Sequence, residues 1–363
     1  MAIFIIYRNQ NFDYIFMSQT LFFIAYLLFI IVMLFLDLCV FHKKDHEIKI
    51  KEAAIWTVVW VGIALLFALL LLFRAEWVHG ISNIDDLLAY VKGTDLQSVI
   101  TPDTPYNEAL SLYRKEVTEQ YLAGYFLEKS LSIDNIFVMI MIFVSFGIDK
   151  AYYHRVLFWG VLGAIVLRFV FIFVLGALVS KFSWVLAVFG AILIYSGFKM
   201  FKDKGDEPID TANHPMVRFA SKYFRVTRQS HGHDFFAVEN GKHYITPLFL
   251  VLLVIEFSDV IFAVDSIPAV FSVTTDSFIV FFSNIFAIMG LRSLFFLLAG
   301  ITDKFWLLRY GLGCLLTFVG LKMIAHEFFG FSISTIASLI VILTTLFGSV
   351  LLSLIIPSPK RAA

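Results

Sequence analysis

Acidic side chains recur in stretches of this chain that are otherwise apolar. Glu128 and Asp134 stand in LEKSLSIDN (127–135), and Glu256, Asp259 and Asp265 in IEFSDVIFAVDSIPA (255–269). Asn135 and Asn284 add amide oxygens, while Arg168 and Arg292 add fixed positive charge. No histidine or cysteine lies among them. Oxygen ligands alone suit hard cations such as Mg, Ca and Mn and disfavour Zn and Cu(I). Five acids against Arg168, Arg292 and Lys129 leave a negative surplus of two or three. A divalent ion, or an ion exchanging with protons, would neutralise it.

Spacing brings part of the set together. Glu128, Ser132 and Asn135 fall at i, i+4 and i+7, one face of a helix. Glu256 and Asp259 are an i, i+3 pair. Asp134 and Asp265 each follow another acid by six residues, about 120° away around an ideal helix. Pro268 cannot donate to the carbonyl of Val264 and disfavours helical geometry at Ile267. A helix broken around DSIPA would swing Asp265 inward, as discontinuous transporter helices do. A purely structural role would pair Arg168 with Asp134 and Arg292 with Asp259. That role accounts for the arginines and leaves Glu128, Glu256 and Asp265 without partners.

The elements that hold these residues follow from composition. Of 363 residues, 60% are hydrophobic and only 15% charged, with mean hydropathy +0.86. Soluble domains carry about 25% charged residues. The 28 basic and 28 acidic residues cancel, which excludes a nucleic-acid footprint. Cys39 and Cys314 form no CxxC motif and no disulfide framework. Nine stretches are long and apolar enough to cross a bilayer: about 20–41, 53–73, 121–146, 155–179, 183–201, 245–266, 277–299, 305–325 and 333–356. The fold class is therefore an all-α polytopic membrane protein.

A carboxylate at the centre of such a span costs about 2.5–3.5 kcal/mol. Five unpaired ones would cost on the order of 12–17 kcal/mol, comparable to a protein's whole net stability. They must face each other, the arginines or a wet cavity. Loop charge sets the expected orientation. Lys43, Lys44, Lys49 and Lys51 follow the first span, and Lys202, Lys204, Arg218, Lys222, Arg225 and Arg228 follow the fifth. Lys360 and Arg361 end the chain, whereas 267–276 and 326–332 hold no lysine or arginine. The positive-inside rule puts the N-terminus outside and the C-terminus in the cytoplasm.

The chain also repeats itself. SLSIDNIFVM (130–139) and EFSDVIFAVD (256–265) match at an offset of 125, pairing Asp134 with Asp259. GVLGAIVLRFVF (160–171) aligns with NIFAIMGLRSLF (284–295), pairing Arg168 with Arg292. FGAILIYSGFKM (189–200) aligns with LGCLLTFVGLKM (312–323), pairing Lys199 with Lys322. Three spans per unit invert the second copy, the arrangement of secondary transporters whose site lies at the repeat interface. The expected organisation is two peripheral helices (1–74), an acidic extracytoplasmic segment (75–118) and repeat 1 (119–202). A cytoplasmic loop (203–244), the inverted repeat 2 (245–325) and a last helix with its tail (326–363) follow. Within the loop, Asn240-Gly241 flanked by β-prone residues predicts a hairpin.

LEKSLSIDN, RVLFWGVLGAIVLR (155–168), IEFSDVIFAVDSIPAVF (255–271), SNIFAIMGLRSLFFLLAG (283–300) and GLKM (320–323) closely resemble the TerC family of integral membrane proteins. KEAAIWTVVWVGIALLF (51–67) resembles its Alx-like branch. The resemblance implies a bacterial inner-membrane protein related to LysE-type transporters and linked to manganese export and tellurite resistance. Its intramembrane acids match Glu128, Asp134, Glu256, Asp259 and Asp265 here, with Asn135 and Asn284 in the adjoining motifs. The leading expectation is a secondary transporter exporting a divalent cation, Mn(II) first, with protons as counter-ion. No permanently bound cofactor and no enzyme activity is expected. An intramembrane aspartic protease is the first alternative, but SIDN and FSDV are not the GxGD context that class uses. A scaffold for other membrane proteins in metal or tellurite stress is the second.

Overall fold

Lipid offers no hydrogen-bond partner to backbone N–H and C=O groups, so apolar runs of this length must pair them internally as helices. The computed structural model describes residues 6–9, 12–15, 18–41, 50–92, 94–182, 184–202, 214–227, 232–239, 241–299, 307–331 and 333–356. Lys43, Lys44, Lys49, Lys204, Arg228, Lys360 and Arg361, part of the charge asymmetry, lie outside the described residues, as does Asn240.

The helices are α1 (Gln19–Phe41), α2 (Ile50–Arg74), α3 (Glu76–His79), α4 (Ile84–Val91), α5 (Tyr106–Ser145), α6 (Tyr153–Lys181) and α7 (Trp184–Lys202). They continue as α8 (Pro215–Tyr223), α9 (Pro247–Phe271), α10 (Ser277–Met289), α11 (Leu291–Ala299), α12 (Leu308–Phe329) and α13 (Thr335–Ile355). Two 3-10 turns (Asp95–Ser98 and Lys150–Tyr152) and two antiparallel strand pairs complete the described elements. β1 (Ile6–Asn9) pairs with β2 (Phe12–Ile15), and β3 (Phe236–Glu239) with β4 (Lys242–Ile245). The second is a hairpin in the stretch where the sequence predicts one, with Gly241 at φ +73°.

The protein is an all-α polytopic membrane protein. Seven described helices (α1, α2, α6, α7, α9, α12 and α13) are long and apolar enough to cross a membrane. An eighth span results if α10 and α11, bent 43° to one another, count as one. The expected nine is not reached on that measure. The third predicted span falls inside α5, whose last eighteen residues hold Glu128, Lys129 and Asp134. At 40 residues, α5 is about 60 Å long, twice the thickness of a hydrocarbon core. It starts at Tyr106, well ahead of the predicted 121, because YNEALSLYRKEVTEQ is rich in helix formers that hydropathy does not register.

The chain divides into two compact units. The first comprises Met1–Lys44 and Gly62–Leu122. An aromatic cluster holds its helices together: Phe67 lies 6.5 Å from Phe22, 5.8 Å from Tyr26 and 5.2 Å from Tyr121, between ring centres. Beyond the apolar part, Arg114 donates twice to the buried Glu76 carboxylate. Asn83 caps α4 by accepting from the Asp86 N–H at 2.9 Å. Hydrogen bonds from the Ser82 hydroxyl and backbone hold the exposed Asp86 carboxyl below the usual carboxylate range.

The second unit comprises Asp45–Val61 and Ala123–Ala363. In it α6 packs on α9 and α10, α7 on α12 and α9, and α12 on α13. The α7–α12 contact is backbone to backbone. A Cβ on Gly190 would stand 2.9 Å from the Gly320 oxygen, and one on Gly197 2.7 Å from the Gly313 oxygen. Conversely, a Cβ on Gly320 would stand 2.5 Å from the Gly190 oxygen, and one on Gly313 3.0 Å from the Gly197 oxygen. The two helices therefore run antiparallel, and small residues permit the approach, as membrane helix pairs require.

One expectation about the helices is corrected. α9 runs unbroken through Pro268 to Phe271, so DSIPA is not a break. Pro268 falls in the last turn, where the Ser272 N–H closes the end onto the Pro268 and Ala269 oxygens at 3.0 and 3.3 Å. The break lies at Gly290, between α10 and α11.

Gly320→Ala should lower the thermal unfolding midpoint in detergent, at an overpacking cost of about 1–3 kcal/mol. Gly348→Ala, where a Cβ meets open space, should leave it unchanged or slightly raised. Equal midpoints for the two variants would contradict the backbone contact.

Candidate functional site

A guanidinium inside a membrane helix cannot shed its charge, so it must find anions. Arg168 on α6 is 1% exposed. Its Nη1 donates to Glu128 Oε1 of α5 and, at 2.7 Å, to Asn284 Oδ1 of α10. Its Nη2 donates to Asp259 Oδ1 of α9 at 3.2 Å. The Asn284 amide closes the circuit by donating to Glu128 Oε2 at 3.1 Å. Four helices thus meet at one network in the second unit, with two carboxylates against one guanidinium.

This pairing differs from the one expected. Arg168 takes Glu128 and Asp259, not Asp134, and Asp259 is not the partner of Arg292. Sequence symmetry matches the two arginines with the two aspartates but does not say which Arg meets which Asp. The bond from Arg168 to Asp259 crosses from the first repeated segment to the second. Arg292 is buried and Asp134 half-buried, and neither is without a partner.

The helix face predicted from Glu128, Ser132 and Asn135 is the buried one, with all three under 5% exposed. Within the network, Asp259 Oδ2 and Arg168 Nε are buried and make no hydrogen bond among the described residues, and neither does Ser132 Oγ. Buried polar atoms left unsatisfied in this way mark places where a strained, catalytic or ligand-binding role is to be sought.

The other acids lie outside the network. Glu256, one turn before Asp259, is half-buried and forms no ion pair among the described residues. It fills space that only a glycine opposite leaves open, since a Cβ on Gly163 of α6 would collide with its carboxylate. Asp265 is half-buried and accepts from the Ser196 hydroxyl of α7 at 3.1 Å. Nothing in IYSGFK signalled Ser196 as that partner. Among the described residues, no three His, Cys, Asp or Glu side chains come together as a metal-ligand set. The acids are distributed along α5 and α9 rather than gathered at one point.

Lys129 is used at the helix break. Its Nζ donates to the Ala287 oxygen at 3.1 Å, in the last turn of α10. A Cβ on Gly290 would stand 3.0 Å from that Nζ and 3.0 Å from the Trp60 Cβ. The signal was present in IMGLR, where a glycine interrupts the apolar run two residues before the buried arginine.

The family profile described as Integral membrane protein TerC family matches residues 113–361. A relative from Myxococcus xanthus, "Uncharacterized membrane protein STKORF319", is 42% identical over 84% of this chain and 83% of its own. "Putative membrane-bound redox modulator Alx" of Photorhabdus laumondii subsp. laumondii is 42% identical over 88% of this chain and 91% of its own. The protein of that name from Escherichia coli K12 is 40% identical over 90% of each chain. No solved structure matches the chain.

Arg168→Met should leave Glu128 and Asp259 buried without a counter-charge, at a cost of about 3–5 kcal/mol. The expected result is a large drop in the unfolding midpoint or loss of monodisperse protein. Combining it with Glu128→Gln and Asp259→Asn should restore much of that loss. A single variant as stable as the parent chain would show that the network contributes nothing to the fold.

Proposed function

The chain belongs to the TerC family of integral membrane proteins, and on that premise we propose that it is a secondary transporter exporting a divalent cation, Mn(II) first. The observation that carries the reading is the unsatisfied Asp259 Oδ2, a carboxylate oxygen buried inside a membrane helix. A carboxylate oxygen only accepts, so its complement is a cation or a proton. Glu256 stands one turn away on the same helix, half-buried and without a cationic partner among the described residues. Together they offer hard oxygen ligands, which favours Mn, Mg or Ca over softer ions.

Arg168 sets the terms of binding. It already occupies one oxygen of Asp259 and one of Glu128, leaving one net negative charge on the three side chains. A doubly charged ion gains full access to both carboxylates only if the guanidinium withdraws or a second acid joins. Either change repacks α6 against α9, helices from different repeated segments. That couples cargo binding to relative movement of the repeats, as alternating access requires. Protons are the proposed counter-ion.

The α7–α12 contact supports an inverted repeat. Gly190 aligns with Gly313 and Gly197 with Gly320, and in space Gly190 meets Gly320 while Gly197 meets Gly313. Equivalent positions exchange partners across an antiparallel crossing, as a two-fold axis in the membrane plane demands. The proposed setting is the bacterial inner membrane, with the N-terminus outside and the C-terminus in the cytoplasm.

"Redox modulator" is part of the name of some relatives. This chain has only Cys39 and Cys314, in separate helices, so a dithiol exchange within one motif is not available to it.

Purified protein in proteoliposomes should accumulate Mn(II) against an imposed proton gradient. Glu256→Gln and Asp259→Asn should each lower the initial rate at least tenfold, while Gly348→Ala leaves it unchanged. Unchanged flux in both acid variants would overturn the site, and absence of flux for every divalent ion tried would overturn the function.

A further inference from the structure

The loop between α7 and α9 carries a surface that the transport reading does not use. α8 spans Pro215–Tyr223, nine residues with Pro215 at its start and the His214 ring accepting from the Met216 N–H at 3.3 Å. Its one fully buried residue, Ala220, belongs to a small core with Ile245 of β4 and Leu250 of α9, against which Phe146, Val226, Phe249 and Leu253 pack. The segment after α8 is tied down as well. Backbone bonds run from the Ile245 N–H to the Arg225 oxygen at 2.9 Å and from the Thr227 N–H to the Ile245 oxygen at 3.1 Å.

The opposite side of this fixed element is open. Phe219 and Tyr223, an i, i+4 pair, are 53% and 63% exposed, with ring centres 4.9 Å apart. Phe224 is 52% exposed, and Phe236 of β3 is 61% exposed with its ring centre 4.9 Å from that of Phe249. Arg218 and Lys222 form a second i, i+4 stripe, with the Lys222 ammonium 5.6 Å from the Tyr223 ring centre. Arg225 follows. None of the three bases forms an ion pair among the described residues, and residues 214–227 contain no Asp or Glu.

On a helix of 3.6 residues per turn the aromatic stripe lies between the basic stripe and the buried face. A helix lying at a bilayer surface needs that order, with rings at the acyl boundary and cations reaching the headgroups. Height is fixed too, because the buried face rests on Leu250, in the first turn of the membrane-crossing α9. The exposed face is therefore held at the interface, beside the leaflet that α9 enters.

We propose that α8 and the β3–β4 hairpin form an interfacial platform that binds acidic phospholipid headgroups of that leaflet. Phe219 and Tyr223 insert below the headgroups, and Arg218, Lys222 and Arg225 pair with phosphate and other anionic groups. Juxtamembrane bases of this kind are attracted to an anionic leaflet. The inference is independent of which cargo, if any, the helices carry.

The test uses the full chain with Cys39 and Cys314 replaced by serine and Phe219→Cys carrying a nitroxide. It is placed in nanodiscs of phosphatidylcholine alone or mixed with phosphatidylglycerol. Oxygen and a water-soluble nickel chelate report immersion, with a label at Tyr195, 71% exposed on the membrane-crossing α7, as the reference for depth. In the mixed discs the label should collide with oxygen several-fold more than with nickel. The preference should shrink in phosphatidylcholine alone and in the combined Arg218→Gln, Lys222→Gln and Arg225→Gln variant. A label open to nickel in both lipids overturns the proposal. A label shielded from both reagents does so as well, because it places Phe219 against protein. Equal immersion in both lipids overturns the selectivity for acidic headgroups. A monodisperse elution profile for the triple variant separates loss of binding from loss of fold.

Discussion

Burying Arg168 is the constraint on which the second unit depends. The guanidinium stays charged at any accessible pH, and in a membrane core it has no water to fall back on. Its anions must come from other helices, so α5, α9 and α10 are pinned to α6 at one level by Glu128, Asp259 and Asn284. The same constraint explains the character of α5. A helix with Glu128, Lys129 and Asp134 in its last eighteen residues is too polar to enter lipid on its own. It is tolerated because Glu128, Ser132 and Asn135 face inward and the Lys129 ammonium ends on a backbone oxygen.

Most of the architecture was legible because lipid leaves so few options. Each apolar stretch in the sequence falls on one helix, except 277–299, which is divided between α10 and α11, and the inward face of α5 followed from i, i+4, i+7 spacing. The hairpin could be read from its turn residues. The pairing inside the site was not legible. Arg168 and Arg292 occupy matching positions of the repeated segments, as do Asp134 and Asp259, so sequence symmetry is consistent with either set of partners. Only the packing of α6 on α9 decides between them. The early start of α5 was hidden for a different reason, since hydropathy registers lipid exposure and not helix propensity.

Glu256 and Asp265 show how far a list of ligand types can run ahead of geometry. Both are acids in membrane helices, and the charge surplus suggested one shared pocket. In the structure Glu256 sits in a notch made by Gly163, and Asp265 takes a hydroxyl from Ser196. Glycine at 163 is thereby given a reason, because any larger residue would evict the carboxylate. The acids are spread along α5 and α9 in place of a single cage among the described residues.

The helix break adds the last element of asymmetry. α6 and the α10–α11 pair align through VLR at 166–168 and GLR at 290–292, yet α6 is continuous for 29 residues and its counterpart bends by 43°. The aligned residues are Val166 and Gly290. At 290 a Cβ would press on both the Lys129 ammonium and the Trp60 side chain, so glycine is the residue that admits them. With them admitted, Lys129 caps Ala287 from outside the helix, and the carbonyl left at the break has a partner. At this aligned position one span is continuous and the other bent. The bend lies between Asn284, which holds Glu128 and Arg168, and Arg292 at the start of α11. The bend at Gly290 therefore lies on the helix pair that Asn284 ties to the charge network, and α6 carries no bend at Val166.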